Sequence, residues 1–375
     1  MSKQRILIIE NSVVMTGALK AITTSSQCLH SFFSFYFVVP KGSIAGKWLE
    51  HGNFEGVHFW RITEISRRVN ALFMYLPRLV INGFRLKQFV KKHNIDLIHV
   101  NDVYNLVPAV AALLGCRTPY VCHVRFMPAG FPPVLFNFWL KAHLRYAKKM
   151  VVVSKALKQS LPPNDKIEVI YNGTLFDEII EAQNDNEHQP ILLYLANVIP
   201  GKGHDFALEA FLKIHDKIPG WNLRFVGGDN GLKKNRRYLL SLKEKAADYG
   251  ISDKIEWKEF TEDVRSEYKA ADIVLNFSES ESFSMTSLEA LSMGRPLIVT
   301  DCGGPAEIVD NGVSGFLVPN RDIDAMADAI LKLAYSPKLR TEMGKEGAKQ
   351  MRERFEATTT SKKLMAVYRY CLDSI

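Results

Sequence analysis

Two glutamates separated by seven residues, Glu281 and Glu289, form the pattern with the clearest chemical use. A buried strand (ADIVLNFS) precedes them, and a helix is predicted to begin near Ser284 or Met285. The first N–H groups of such a helix form an anion site, which the helix dipole strengthens. Glu281 precedes the helix, and Glu289 lies on the order of 6 Å deeper, about one turn inside it. Because carboxylates accept hydrogen bonds from sugar hydroxyls, the pattern favours a nucleotide-linked sugar as the ligand.

Short apolar strands alternate with helices on both sides of this pattern, which predicts parallel sheets buried on both faces. The first half has predicted strands at 5–10, 32–39, 96–100, 120–124, 150–154 and 167–171, and predicted helices at 17–24, 65–93 (interrupted at Pro77) and 106–114. The second half has predicted strands at 191–196, 222–226, 255–259, 273–277 and 297–300, predicted helices at 205–214, 236–249, 264–270, 285–292 and 323–334, and a helical tail. This α/β order predicts two doubly wound domains that face each other across a cleft, with ligands outside the carboxyl ends of the strands.

A polar, acidic stretch at 178–190 separates the two halves and is the best linker candidate. The predicted domains are an N-terminal domain at 1–177 and a C-terminal domain at 191–355. The last helix, 356–375, is a candidate for crossing back to the first domain. A length of 375 residues fits two such domains. With 47% hydrophobic and 23% charged residues, the composition excludes disordered, collagen-like and coiled-coil proteins.

Charge is distributed unequally along the chain. Residues 1–170 contain 22 Lys and Arg against 8 Asp and Glu, whereas residues 171–375 contain 26 against 32. We therefore expect the first half to meet a polyanion or an anionic membrane surface, the alternative being scattered basic side chains that face solvent.

The five widely spaced cysteines match neither a disulfide framework nor a zinc pattern, which favours a reducing compartment. Neither a signal peptide nor a transmembrane helix is predicted.

The segment around the two glutamates resembles the retaining glycosyltransferases of family 4 (glycosyl transferases group 1), which have the GT-B fold. The resemblance depends on the order and spacing of several pieces: the strand, the paired glutamates, Gly294-Arg295-Pro296, the strand LIVT, Gly303-Gly304 and Glu307. It implies an α/β GT-B fold with two Rossmann-like doubly wound domains. It also implies transfer of a sugar from a nucleoside diphosphate sugar with retention at the anomeric carbon.

The resemblance implies roles for residues along most of the chain. The implied catalytic residues are Glu281, His123 and Lys202, and the implied donor-binding residues are Gly17, Asn197, Gly228, Phe283, Ser284, Met285, Thr286 and Glu289. Lys202 and the helix start would meet the diphosphate. Glu289 would hold the ribose, Glu281 the hydroxyls of the transferred sugar, and His123 would contact that sugar from the first domain.

One residue departs from the family pattern, because Asn197 stands where the family usually has an arginine. A neutral amide brings no charge and no bidentate fork to a diphosphate, so more of that task falls on Lys202. The family mechanism is same-face attack, in which a donor phosphate oxygen takes the acceptor proton and no protein nucleophile is required. The alternative makes Glu281 a covalent nucleophile. No metal or other cofactor is expected.

The acceptor side is predicted from two segments that mix basic and apolar residues, 65–93 and 126–149. Such a mixture suits peripheral attachment to an anionic membrane, here the inner face of the plasma membrane, where a cytoplasmic enzyme would reach a lipid-linked glycan. The predicted enzyme moves a hexose or N-acetylhexosamine, from a UDP-linked donor, in bacterial lipopolysaccharide, O-antigen or capsule synthesis. The alternatives are ordinary core helices in these segments, and a nucleotide-sugar epimerase, a soluble small-acceptor transferase or a non-catalytic sugar-nucleotide binder. Nucleic acid is not an expected partner.

Overall fold

The computed structural model describes residues 3–62, 69–175 and 189–373, except for the side chains of 69–73. The chain divides into two compact units. The first comprises Met1–Leu175 together with Ala357–Ile375, and the second comprises Phe176–Glu356. The predicted linker at 178–190 lies outside the described residues apart from its last two positions.

The first unit is built on a parallel sheet, whose described strands follow the buried apolar runs of the sequence. These strands are β1 (Gln4–Ile9), β2 (Phe33–Pro40), β3 (Gly56–Trp60), β4 (Leu97–Val100), β5 (Tyr120–Val124), β6 (Lys149–Val152) and β7 (Ile167–Val169). Their order is β3-β2-β1-β4-β5-β6-β7. The order of addition reverses between β1 and β4, so this is the point at which a doubly wound sheet opens a crevice for ligands.

Helices cover this sheet. They are α1 (Gly17–Cys28), α2 (Ile44–Glu50), α3 (Val69–His93), α4 (Val107–Leu113), α5 (Pro133–Tyr146), α6 (Lys155–Gln159) and, from the end of the chain, α13 (Ala357–Asp373). The helices α1 and α13 pack against each other, and α13 also contacts β4 and β5. Ile6 and Ile8 of β1 share one apolar core with Leu19 of α1 and with Val367 and Tyr368 of α13. The last helix therefore completes the first unit.

The second unit repeats the architecture with strands in the order β10-β9-β8-β11-β12-β13, all parallel. The strands are β8 (Ile191–Leu195), β9 (Asn222–Val226), β10 (Ile255–Lys258), β11 (Ile273–Asn276), β12 (Leu297–Thr300) and β13 (Gly315–Val318). The helices are α7 (His204–Ile214), α8 (Lys233–Asp248), α9 (Val264–Ala270), α10 (Met285–Ser292), α11 (Ile323–Ala334) and α12 (Pro337–Phe355). Here the order reverses between β8 and β11.

The predicted fold class, two Rossmann-like α/β units with parallel sheets, is confirmed. The predicted bounds of the helices at 264–270, 285–292 and 323–334 agree with the structure residue for residue. The predicted interruption at Pro77 is wrong, because α3 continues through it. Packing of α3 against α4 compensates for the proline, which costs a helix interior roughly 3 kcal/mol. The elements α2, β3, α5, α6 and β13 were not predicted.

No helix within the described ranges combines the length and the apolar character that a bilayer span needs.

Candidate active site

The second unit presents a charged pair at the reversal point of its sheet. Lys202 lies in the loop that follows β8, and Glu281 lies in the loop that follows β11. The Lys202 Nζ atom is 2.5 Å from Glu281 Oε2, and the two side chains are 36% and 21% exposed. The Glu281 charge raises the pKa of Lys202 against the opposing effect of burial. The sequence-predicted pair is thus brought into contact, with both side chains open to solvent in part.

The Lys202 loop is held by a buried tyrosine that was not among the predicted residues. The Tyr194 hydroxyl donates to the Lys202 carbonyl and accepts a hydrogen bond of 2.8 Å from the Phe277 N–H. Burial raises the pKa of Tyr194 well above its ordinary value, so the hydroxyl keeps its proton. The next residue, Gly203, has a φ of 77°, and a Cβ there would lie 2.0 Å from the Phe277 carbonyl oxygen. Only glycine permits this approach, which seats Lys202 beside the end of β11.

The Glu281 loop is braced by the glycine pair of the family motif. The Glu281 N–H donates to the Cys302 carbonyl at 3.3 Å, and the Gly304 N–H donates to the Glu281 carbonyl at 2.9 Å. A Cβ on Gly304 would lie 2.3 Å from the Ser282 carbonyl oxygen. The motif after β12 therefore acts by fixing the backbone that carries the Glu281 carboxylate.

The helix α10 begins at Met285 with a strained cap. Ser284 has a φ of 88°, which a residue with a side chain rarely adopts. Its Oγ accepts hydrogen bonds from the Ser287 N–H at 3.2 Å and from Asn276 Nδ2 at 2.8 Å. The buried Asn276 amide thus stabilises the strained conformation of Ser284. The N–H groups of Met285 and Thr286 belong to the first turn and have no carbonyl partner within the helix. Both residues are half-buried, and their N–H groups are the ones that the predicted anion site would use.

Two predicted donor-binding side chains point into the second unit. Glu289 is 5% exposed, and its Oε2 accepts a hydrogen bond of 3.3 Å from the Tyr268 hydroxyl, which also donates to the Thr286 carbonyl at 3.1 Å. The buried Phe283 ring packs edge-on against Phe355, with 5.7 Å between the ring centroids. The Phe283 side chain is thus an anchor for the loop, which leaves its backbone as the part suited to a ligand contact.

Asn197 and Gly228 lie at the neighbouring strand ends. The Asn197 side chain is exposed, and it makes no hydrogen bond to any residue within the described ranges. The Gly228 carbonyl accepts a hydrogen bond of 2.9 Å from the Val198 N–H, which ties the turn after β9 to the loop after β8. The position of the family arginine is therefore occupied by an amide that faces solvent.

The first unit places the remaining predicted residues at its own reversal point. Gly17 is the exposed first residue of α1, whose cap is Thr16, with the Leu19 N–H donating to Thr16 Oγ1 at 3.2 Å. His123 is buried near the end of β5, and its ring centroid is 5.4 Å from that of His99 on β4. Each residue is thus where a carboxyl-end ligand site of its own sheet requires it.

His123 belongs to a buried polar network that sequence reasoning missed. The Arg125 guanidinium is its centre: Nε donates to Asn101 Oδ1 at 2.7 Å, Nη1 to Asn172 Oδ1 at 2.8 Å, and Nη2 to His123 Nδ1 at 3.2 Å. Asn101 in turn donates through Nδ2 to Glu10 Oε2. The sequence does contain a signal for this network. Polar residues occupy alternate positions where the apolar strands end, and residues two positions apart in a strand lie on the same face of the sheet.

Glu10 anchors the loop between β1 and α1. Its Oε1 accepts hydrogen bonds from the Asn11 N–H at 2.9 Å, the Ser12 N–H at 2.9 Å and the Ser12 hydroxyl at 2.7 Å. Together with the bond from Asn101 to Oε2, both carboxylate oxygens accept hydrogen bonds. The loop that leads to Gly17 is therefore organised by a buried charge.

Burial controls the protonation of this network. Burial lowers the pKa of His123 well below its usual value, and the charge of Arg125 and the neighbouring His99 lower it further. Burial and the Arg125 charge lower the pKa of His99 to about 3. Burial lowers the pKa of Arg125 to about 10, against the opposing charges of Glu10 and Asp102. At neutral pH the histidines are therefore uncharged and the arginine is charged.

Comparison with known families places the chain among sugar transferases. Residues 176–350 match the family model described as glycosyl transferases group 1, and residues 48–175 match the model described as glycosyltransferase family 4. The two matches adjoin and together run from position 48 to position 350.

Among curated proteins, the chain is similar to enzymes with different acceptors in their names. It is 33% identical over 187 residues to a D-inositol 3-phosphate glycosyltransferase of Saccharomonospora viridis, a match that covers 48% of this chain but only 42% of that protein. It is 23% identical over 327 residues to the N-acetyl-alpha-D-glucosaminyl L-malate synthase of Bacillus anthracis, with 81% of each chain covered.

Among solved structures, the Anabaena protein HepE in complex with UDP and glucose shares the fold. Its TM-score is 0.82 at 19% sequence identity, and the superposition covers 98% of this chain and 99% of that one. The likeness extends over both units and agrees with the GT-B fold.

Proposed function

We propose that this chain, which belongs to the glycosyltransferases of group 1 and family 4 with the GT-B fold, transfers a hexose or N-acetylhexosamine from a uridine diphosphate sugar to a glycan acceptor with retention of configuration. The observation that carries the proposal is the contact between Lys202 and Glu281 beside the first turn of α10. It places a cation, two unpaired helix N–H groups and a carboxylate within one set of loops. The UDP base is supported by HepE, whose complexes contain UDP.

The diphosphate is the group that gains charge during transfer. In this proposal Lys202 moves from the Glu281 carboxylate to the phosphate oxygens, where the N–H groups of Met285 and Thr286 also donate. Glu281 then accepts from hydroxyls of the transferred sugar, and Glu289 accepts from the ribose. Lys202 and the helix start perform the task that a divalent metal performs in other phosphate sites, so the proposal assigns no metal and no cofactor.

The bond changes balance without a protein nucleophile. The bond between the anomeric carbon and the phosphate oxygen breaks, and the acceptor oxygen bonds to the same face of that carbon. The acceptor proton passes to a phosphate oxygen of the leaving nucleotide. The products are the extended glycan and UDP, and the anomeric configuration is retained. Proton NMR of the first product formed tests this step, since an inverted anomeric coupling would contradict it.

The test of the site compares its ion pair with an ordinary one. Wild type, Lys202→Met, Glu281→Gln and Lys213→Met are assayed for turnover of a panel of UDP- and GDP-sugars. Lys213 pairs with Asp324 on the exposed surface of the same unit and serves as the matched control. We expect each site variant to lose at least about 100-fold in turnover. The control should keep the wild-type rate.

The same variants separate catalysis from stability. A partly exposed ion pair contributes no more than about 1 kcal/mol to stability, so the unfolding midpoints should stay close to wild type. Wild-type turnover in both site variants would refute the assignment. If the wild-type protein bound UDP-sugars in a thermal-shift assay without turning any over, the non-catalytic binder would be the better description.

The acceptor is proposed to be lipid-linked, because one layer of the first unit is both apolar and basic. The helices α3 and α5 both pack on α4. Exposed apolar side chains occur on all three helices: Met74, Leu76, Val80, Ile81, Phe84, Leu113, Val134 and Phe138. Exposed basic side chains lie on α3 and α5: Arg78, Arg85, Lys87, Lys91, Lys92, Lys141 and Arg145. Such a layer suits the anionic inner face of a bacterial plasma membrane, where lipid-linked precursors of lipopolysaccharide or capsule are extended.

Vesicle flotation tests the membrane proposal. The protein should float with vesicles that contain phosphatidylglycerol, much less with pure phosphatidylcholine vesicles, and less at high salt. Phe138→Ser should weaken flotation. Phe260→Ser, which removes an exposed phenylalanine of the second unit, is the matched control and should not. Equal binding by all three proteins, or none, would contradict the membrane surface.

A second candidate is transfer to a small soluble acceptor. It is favoured by the names of the two curated relatives, which specify inositol phosphate and malate as acceptors. Partition of radiolabelled product between butanol and water distinguishes the two candidates, because a lipid-linked product enters the butanol phase.

A further inference from the structure

We propose that Arg125 is a positioning residue that fixes His123 as the tautomer with its proton on Nε2, so that His123 serves a bound sugar as an uncharged hydrogen-bond donor. The proposal deepens the function proposed above and takes the identity of the ligand from it. The assignment of the tautomer itself depends only on the first unit.

The tautomer follows from the chemistry of the two partners. Arg125 Nη2 is 3.2 Å from His123 Nδ1. A guanidinium has donors and no acceptor, so Nδ1 must offer its lone pair. A neutral imidazole carries one proton, and that proton is therefore on Nε2. A doubly protonated ring would direct an N–H at the guanidinium and is excluded by the same contact.

The guanidinium cannot turn away from the histidine, because its other donors are used. Arg125 is 6% exposed, and Asn101 and Asn172 accept from Nε and Nη1. Asn101 presents its carbonyl oxygen to the arginine because its amide nitrogen donates to Glu10. The planar guanidinium is thereby held on two sides, so that Nη2 points at the imidazole of His123.

The remaining nitrogen of His123 is a donor without an acceptor. His123 is 4% exposed, and Nε2 has no hydrogen-bond partner among the residues that the structure describes. A buried N–H left unsatisfied destabilises the protein, and a ligand oxygen that accepts from it would remove that penalty. His99 differs, since its Nδ1 lies 2.6 Å from the Tyr368 hydroxyl, a group that can donate or accept. Of these two neighbouring histidines, His123 is therefore the one whose partner dictates the tautomer.

The surrounding charges also oppose a positive ring. Arg125, which directly follows β5, and His99 on β4 are the titratable groups that act on His123. Glu10 and Asp102 lie close enough to act on Arg125, and Tyr368 of α13 contacts His99. Because burial and the adjacent guanidinium both lower the pKa of His123, the ring stays neutral across the physiological range. His123 is therefore a fixed donor and takes no part as a general acid or base.

The first test observes the tautomer in the intact wild-type chain, without turnover. The protein is labelled with nitrogen-15 histidine, and long-range proton–nitrogen correlation identifies the ring protonation, with His123→Gln used to assign the signals. We expect the neutral Nε2–H pattern for His123, unchanged between pH 5.5 and 8. A neutral Nδ1–H pattern, or an imidazolium that titrates in this range, would overturn the proposal.

Variants then test whether Arg125 is the cause. In Arg125→Met we expect His123 to show both tautomers or to titrate between pH 5.5 and 8, and kcat/KM to fall at least tenfold and to become pH-dependent there. Arg125→Lys keeps one donor and the charge, and should restore part of both. Arg117→Met, at an exposed arginine of the same unit, is the control and should match wild type. If Arg125→Met does not fold, the wild-type spectrum still decides the tautomer.

Ligand addition tests the donor role separately. Saturation with a UDP-sugar, confirmed by thermal shift, should move the His123 Nε2–H signal, whereas UDP alone should leave it in place. An unmoved signal with bound UDP-sugar would overturn the donor role. If the tautomer is as proposed but no sugar nucleotide is turned over, the proposed function fails and the assignment of the tautomer stands. If a sugar nucleotide is turned over but His123 shows the other tautomer, the proposed function stands and the assignment of the tautomer fails.

Discussion

The two units bring functional groups to their strand ends in different ways. In the second unit, Lys202 and Glu281 form a partly exposed ion pair on loops that are braced through the backbone. In the first unit, His123 is neutral and buried, and a charged Arg125 is enclosed with it. In the proposed function, Lys202 exchanges Glu281 for a ligand phosphate, and its position near solvent keeps the cost of that exchange low. The proposed role of His123 is to present one proton in one direction, and burial and fixed partners remove the alternatives to it.

The difference extends to stability. Removing one member of a partly exposed pair changes the free energy of unfolding little, whereas removing one partner of a buried charge leaves the other uncompensated. The following predictions measure this contrast.

The largest effect on stability is expected for Glu10→Ala. The change removes the acceptor for Asn101 and for the Asn11 and Ser12 donors, and it leaves the buried guanidinium with less counter-charge. We expect a loss of about 3–5 kcal/mol in the free energy of unfolding. Urea denaturation measures it.

The control is Glu50→Ala, at an exposed glutamate on the last turn of α2 in the same unit. It should stay within about 0.5 kcal/mol of wild type. Equal midpoints for the two variants would show that the network does not stabilise the first unit.

Acidification should affect the first unit more than the second. Burial lowers the pKa of His99 to about 3 and that of His143 to about 4, and lowers that of His123 well below its usual value. In the second unit, burial lowers the pKa of His204 to about 4. Each unfolded histidine binds a proton near pH 6.5 while the native one does not, so stability falls as the pH falls from about 6.5 toward 4.

The expected size is about 1.4 kcal/mol per histidine per pH unit in that window. Asp102 works in the opposite direction, because burial raises its pKa, and it offsets part of the contribution of the first unit's histidines. Hydrogen exchange of peptides from β4 and β5, compared with peptides from β8 and β9 at pH 7.5 and 5.5 after correction for intrinsic rates, measures the contrast. Equal loss of protection in both units would contradict it.

The smallest effect is expected for Asn197→Arg. The change places a guanidinium, a cation that can bind in a bidentate way, at an exposed position in the loop after β8. We expect UDP to bind about fivefold more tightly, or roughly 1 kcal/mol. Titration calorimetry measures the affinity. Ser252→Arg adds the same charge just before β10, at the end of the sheet where the parallel strands begin. It should leave the affinity for UDP unchanged. An equal gain in both variants would indicate general electrostatic attraction.

The two units also differ in how far their sites could be predicted. The strand, loop and helix that carry the two glutamates of the second unit were predicted from the sequence, since they lie in one contiguous segment from 271 to 318. Local patterns there set both the element and the position of each side chain along it. The functions of Tyr194, Asn276 and Gly304 as supports were not predicted, because a hydrogen bond between loops leaves no local pattern.

The errors in the predicted secondary structure also have local causes. The helix α5 begins with Pro133 at its first position, where proline is favoured, but its segment was interpreted only by its mixture of basic and apolar residues, and no helix bounds were predicted for it. The sequence predicts a helix break at Pro77, but α3 continues through it and packs on α4. The strands β3 and β13 are short and begin with glycine, which weakens their strand pattern.

The amino-acid sequence by itself determined the alternation of strands and helices, the doubly wound class and the segment that carries the paired glutamates. These features depend on hydrophobic periodicity and on contacts between near neighbours in the chain. Only the tertiary structure decided that Glu10, Asn101, Arg125 and Tyr368 surround two histidines. Parallel pairing sets strands side by side that are far apart in the chain, and the last helix packs over them. Which polar side chains then meet depends on strand order and register, which no local stretch of residues specifies.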